Sequence, residues 1–90
     1  MKIYIVKFES NVDGEILFDA VPCATKEAAI KVLQEEKEWV LKESVHFSRF
    51  TEEELKEYCE MIDEDTHFYV SDNSDDYYED YQIEEKNLVE

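Results

Sequence analysis

Apolar and polar residues alternate along the start of the chain. From Lys2 to Glu9, a segment rich in β-branched and aromatic residues places Tyr4, Val6 and Phe8 on one face of a predicted strand. Asn11-Val12-Asp13-Gly14 supplies residues suited to positive φ, and Glu15 to Cys23 resumes the alternation with Ile16, Phe18 and Ala20 on one side. The two strands form a predicted hairpin. The period then changes. Thr25 is suited to cap a helix from about Lys26 to Glu43, in which Ala28, Ala29, Val32, Leu33, Trp39 and Val40 make one apolar stripe. Ile30 and Leu41 fall on the opposite side of that helix and require a second contact.

A second helix is signalled by Thr51-Glu52-Glu53-Glu54, a capping box, followed by Leu55, Tyr58, Cys59 and Ile62 at i, i+3, i+4 and i+7. Its end is expected near Ile62. After Asp63-Glu64-Asp65, the segments His67 to Ser71 and Tyr77 to Glu85 read as strands joined by a turn over residues 72–76. The ββααββ order predicts one α+β domain spanning residues 1–90, a four-stranded, mainly antiparallel sheet with two helices on one face. Val6, Phe8, Phe18, Val32, Leu33, Trp39, Leu55, Cys59, Ile62 and Phe68 are its expected core.

Charge adds what the pattern does not contain. The chain of 90 residues has a formal net charge of −16. Through Phe50 there are seven Lys+Arg and nine Asp+Glu, a net of −2; from Thr51 onward there are two lysines and sixteen acids, a net of −14. Such a skew predicts a localised acidic surface on the folded molecule. On a continuous second helix, Glu53, Glu57, Glu60 and Glu64 would stack opposite the apolar side, at a repulsive cost on the order of 1 kcal/mol at low salt. Asp75, Asp76, Tyr78, Glu79 and Asp80 would extend that surface along the last hairpin.

Other chemistries fit less well. Asp72, Ser74 and Asp76 have the opening spacing of an EF-hand, but Tyr77 and Ile83 stand where glycine and a bidentate Glu are needed. His46, His67, Cys23 and Cys59 have no zinc-site spacing, and a single glycine, Gly14, cannot make a phosphate loop. No catalytic set stands out, and neither an enzyme nor a cofactor is expected. With two distant cysteines, no long apolar run and strong negative charge, the sequence predicts a reduced, cytoplasmic protein that contacts neither membrane nor nucleic acid directly. The expected partner is a basic protein surface, in the sharpest case that of a DNA- or RNA-binding protein inhibited by nucleic-acid mimicry. The alternative is a structural or regulatory domain that self-associates, as a homodimer, with acidity conferring only solubility.

Overall fold

The computed structural model describes residues 1–44, 46–73 and 76–87. Five strands and two helices follow in the order β1 (Lys2–Val12), β2 (Glu15–Cys23), α1 (Lys26–Lys42), α2 (Glu52–Tyr58), β3 (Glu60–Glu64), β4 (His67–Ser71) and β5 (Tyr77–Asn87), with a 3₁₀ turn at Phe47–Arg49 before α2. All strands join one antiparallel sheet in the order β2-β1-β5-β4-β3. The sheet has five strands rather than the expected four, and the order is ββααβββ.

The first hairpin closes as its sequence predicts. Asp13 and Gly14 have φ of 56° and 85°, the paired positive values that a two-residue turn requires. The Gly14 N–H donates to the Asp76 carbonyl at 3.2 Å, fastening this turn to the approach of β5. In α1, the Thr25 hydroxyl accepts from the Ala28 N–H at 3.1 Å. In α2, both bonds of the capping box form: Thr51 Oγ1 accepts from the Glu54 N–H at 3.1 Å, and Glu54 Oε1 accepts from the Thr51 N–H at 3.2 Å.

The added strand replaces the expected end of α2. The helix stops at Tyr58, Cys59 turns extended (φ −115°, ψ 152°), and Glu60–Glu64 pair with His67–Ser71. Cys59 and Ile62 fit a helical period, but Met61 and Ile62 fit an alternating one equally well, and so short a window does not discriminate. Hydrogen bonding does. β4 would otherwise leave one edge unpaired, whereas a longer α2 would bring Asp63, Glu64 and Asp65 to the negative end of its dipole. The four-glutamate helix stripe is therefore absent: Glu53 and Glu57 lie on α2, Glu60 and Glu64 on β3.

Pairing assigns the faces. Tyr4, Val6, Phe8 and Ser10 of β1 share a face with Ile83, Tyr81 and Glu79 of β5 and with Phe68 and Val70 of β4. Ala29, Leu33 and Val40 of α1, Leu55 of α2, and Phe47 and Cys59 pack with Val6, Phe68, Val70 and Tyr81 in one core. Val32, Phe8 and Ile62 are half-buried instead of fully buried. Trp39 and Phe18 depart furthest from the expected core, at 50% and 73% exposure. Trp39 rides where α1 overhangs the sheet near β2, and Phe18, paired with Glu9, points to the uncovered face. Ile30 and Leu41 are both half-buried, and Leu41 packs against the core. Among the described residues, no helix is long and apolar enough to cross a membrane.

Leu55 is 2% exposed and ties α2 to this core. Leu55→Ala should lower unfolding free energy in urea by about 2–5 kcal/mol. A loss below about 1 kcal/mol would show that α2 contributes little to the core.

Candidate functional site

Because α1 packs chiefly over β1 and β5, the β2 side is only partly covered. A groove of about 910 Å³ opens there between β2, the facing ends of β1 and β5, the C-terminal half of α1 and the 3₁₀ turn. Phe8, Tyr77 and Tyr81 form its floor, and Trp39 and Phe47 its wall. Leu17, 56% exposed, forms the outer lip. Four carboxylates line it: Asp13 of the β1–β2 turn, Asp19 of β2, Glu36 of α1 and Glu79 of β5.

Glu79 is only 3% exposed, because its register opposite Ser10 and Val70 points it under the helix layer. Its two oxygens are satisfied, one by Ser10 Oγ at 2.8 Å and the other by the Tyr81 hydroxyl at 2.7 Å. Burial nevertheless pushes the Glu79 pKa up. The two hydrogen bonds oppose that rise, and the Glu36 charge adds to it. Burial likewise raises Glu36, with Glu35 and Asp19 adding repulsion. Tyr81 is pushed up by burial and by its bond to Glu79, so it remains the donor of that pair.

The basic groups of the groove, Arg49 and His46, are held by each other and by Asp72. Arg49 donates from Nη2 to His46 Nδ1 at 2.7 Å and from Nε to the His46 carbonyl at 3.3 Å. An arginine only donates, so the His46 ring proton sits on Nε2, 2.6 Å from Asp72 Oδ2. The imidazole also stacks on Tyr77, with centroids 3.9 Å apart. Among the described residues no lysine lines the groove, and no three acidic, histidine or cysteine side chains there could hold a metal ion. The carboxylates thus surround a space suited to an extended organic cation.

On the uncovered face the Tyr78 hydroxyl donates to Glu9 Oε2 at 2.7 Å; that bond, with burial, pushes the Tyr78 pKa up to about 12. Asp80 pairs with His67 Nε2 at 2.8 Å, and Lys7 with Glu84. A shallower depression of about 630 Å³ lies here beside Phe18 and Ala20, with Glu9 and Asp80 on its border.

The residues expected to form one acidic surface are therefore dispersed. Glu53 and Glu57 are exposed on α2, while Glu60 and Glu64 are exposed on β3 at the far edge from the groove. Tyr78 and Asp80 share the uncovered face, Glu79 points the other way and is buried, and Asp76 is exposed beside the β1–β2 turn. Asp75 lies outside the described residues. The depression nearest α2 and β3, about 250 Å³, is lined by Lys37 and Lys56 as well as Glu52 and Asp63, and Lys37 bonds Asp63 at 2.6 Å. Its charge is balanced. Sequence reasoning missed Leu17, Asp19, Glu36 and Trp39 as groove residues. The available signal was β2 itself, where Leu17 and Val21 alternate with Ile16, Phe18 and Ala20 and so give both faces apolar character.

Comparison with protein families, with curated proteins and with solved structures finds no match to the chain.

The raised Glu79 and Glu36 carboxyls set a pH dependence. Each holds its proton to higher pH in the folded protein than in the unfolded chain, so ionisation at neutral pH weakens the fold. Stability contributed by these groups should rise as pH falls from 7 through their folded pKa values, then level off below the unfolded value near 4.3. Glu84 acts below that window, because Lys7 holds its carboxyl under the usual range. Glu79→Gln should flatten the stability gain on acidification from pH 7 towards the unfolded value near 4.3, measured by urea denaturation. An unchanged slope would show that Glu79 is not a source of it.

Proposed function

We propose that the protein is a binding module that holds a basic segment of a partner protein in the groove beside Trp39. One observation carries this reading: Asp19, Glu36 and Glu79 converge from three elements on an aromatic-walled groove whose arginine is already engaged by His46. Aromatic faces attract cationic side chains, and the carboxylates supply the opposite charge. A lysine or arginine bound there would offset the burial and the repulsion by Glu35 and Asp19 that raise Glu36. Apolar residues flanking it would cover Leu17 and Trp39, which the fold leaves exposed.

Binding is favoured over catalysis by the state of Cys59. The Cys59 thiol belongs to the core, and burial together with the Asp72 charge pushes its pKa up, away from a reactive thiolate. The groove is favoured over the α2–β3 edge because it combines negative charge with concavity and apolar area, whereas the depression at that edge pairs its acids with lysines.

The test uses two acetylated octapeptides of equal charge, repeating Arg-Arg-Val-Val or Arg-Arg-Ser-Ser so that an extended chain carries both residue types on each face, titrated calorimetrically into the intact protein. The valine peptide should bind about tenfold tighter or more, a difference of ~1.4 kcal/mol, and Trp39→Ala should erase that difference. Both affinities should fall between roughly 50 and 200 mM salt. Reversing Glu53, Glu57, Glu60 and Glu64 together to lysine should leave the preference for valine intact. Equal affinities for the two peptides would mean that charge alone is being read and that the groove is not the site.

A further inference from the structure

Resting on the binding reading above, we infer that the partner segment is an extended basic strand that adds to the free edge of β2 and continues the sheet. Val12 pairs with Glu15 across a two-residue turn, so the hydrogen-bonded pairs of β1 and β2 are Val12/Glu15, Ser10/Leu17 and Phe8/Asp19. The intervening residues Ile16, Phe18, Ala20 and Pro22 direct their backbone groups outward. Two independent features agree with this parity. Pro22, which has no N–H to give, stands at an outward position, and the Ala20 N–H is taken by the Asp19 carboxylate at 2.8 Å.

These same features divide the edge. Its C-terminal half is blocked by Pro22 and by the Asp19–Ala20 bond, both of which discourage pairing. Its N-terminal half, at Ile16 and Phe18, has no strand beside it among the described residues. β3, at the opposite edge, is five residues long and carries Glu60, Asp63 and Glu64, a short charged strand of the kind that resists pairing. β2 is nine residues long, has no lysine, and leaves Ile16, Leu17 and Phe18 exposed.

A strand added at Ile16 and Phe18 would send alternate side chains to opposite faces, and a concavity waits on each. One set would enter the groove beside Leu17 and Asp19, and the other the depression beside Phe18. Both are acidic, through Glu36 and Glu79 on one side and Glu9 and Asp80 on the other. The lysine bordering the outer depression, Lys7, is paired with Glu84. That charge selects a basic strand over a second copy of this chain. An antiparallel copy would bring a second Glu15 and Asp19 against the same edge, with both chains carrying −16.

Amide hydrogen exchange followed by NMR on the full chain tests the pairing, with the arginine–valine octapeptide as probe. With peptide bound, exchange at Ile16 and Phe18 should slow by about tenfold or more, while Leu17 and Asp19, already bonded to β1, change little. Phe18→Pro removes an outward N–H without touching the β1 ladder. It should weaken peptide binding more than Phe18→Ala does, the fold being checked by the amide spectrum. Peptide binding with unchanged Ile16 and Phe18 exchange would overturn strand addition while leaving the groove as a binding site. Absence of binding would overturn both. Slowing that depends on protein concentration without peptide would assign the edge to a second copy and overturn the choice of a basic partner.

Discussion

Pairing between the first strand and the last organises the molecule. β1 and β5 run antiparallel along their full lengths, from Lys2 opposite Asn87 to Val12 opposite Tyr77, and every other element is placed relative to that pair. β2 can lie only on the outer side of β1, and β4 with β3 only on the outer side of β5. The register also decides which side chains face the helices. A one-residue slip would turn Tyr81, Ile83 and Glu79 outward together, part Glu79 from the Ser10 hydroxyl, and bring Tyr78, Asp80 and Gln82 under the helices in their place. Glu79 is tolerable under the helix layer because this register brings the Ser10 hydroxyl to one of its oxygens while Tyr81, two residues along the same strand, reaches the other.

The same pairing disperses the charge asymmetry of the sequence. Lysines from the first half meet acids from the second: Lys2 lies 3.3 Å from Glu85, Lys7 pairs with Glu84, and Lys37 reaches Asp63 at 2.6 Å. A skew measured along the chain thus does not become one acidic face. The acids that line the groove are Asp13, Asp19 and Glu36, of the less acidic half, together with Glu79.

Local signals made much of the fold legible. The Asp13-Gly14 turn, the Thr25 cap, the Thr51 capping box and the bounds of β2 and β4 follow from residues within a few positions of one another. β3 was not legible, because Cys59, Met61 and Ile62 satisfy both periods and the choice rests on the otherwise open edge of β4, a long-range need. Trp39 and Phe18 were misplaced for a related reason. Their apolar character predicts burial, but α1 covers the sheet only around Val6, Phe68, Val70 and Tyr81, and no element of the described chain lies beyond β2. The candidate site consists largely of these misplaced residues. Where local pattern says core and the topology leaves exposure, a surface for another molecule is the physical reading that accounts for both.

If the groove beside Trp39 receives the partner, the chain's single tryptophan reports on it directly. Tryptophan emission and its quenching by acrylamide should be recorded as the arginine–valine octapeptide is added, with binding followed in parallel by calorimetry. Occupation of the groove predicts a blue shift and weaker quenching that saturate together with the calorimetric isotherm. Saturable binding that leaves both the emission and the quenching of Trp39 unchanged would place the partner elsewhere on the molecule and contradict the account.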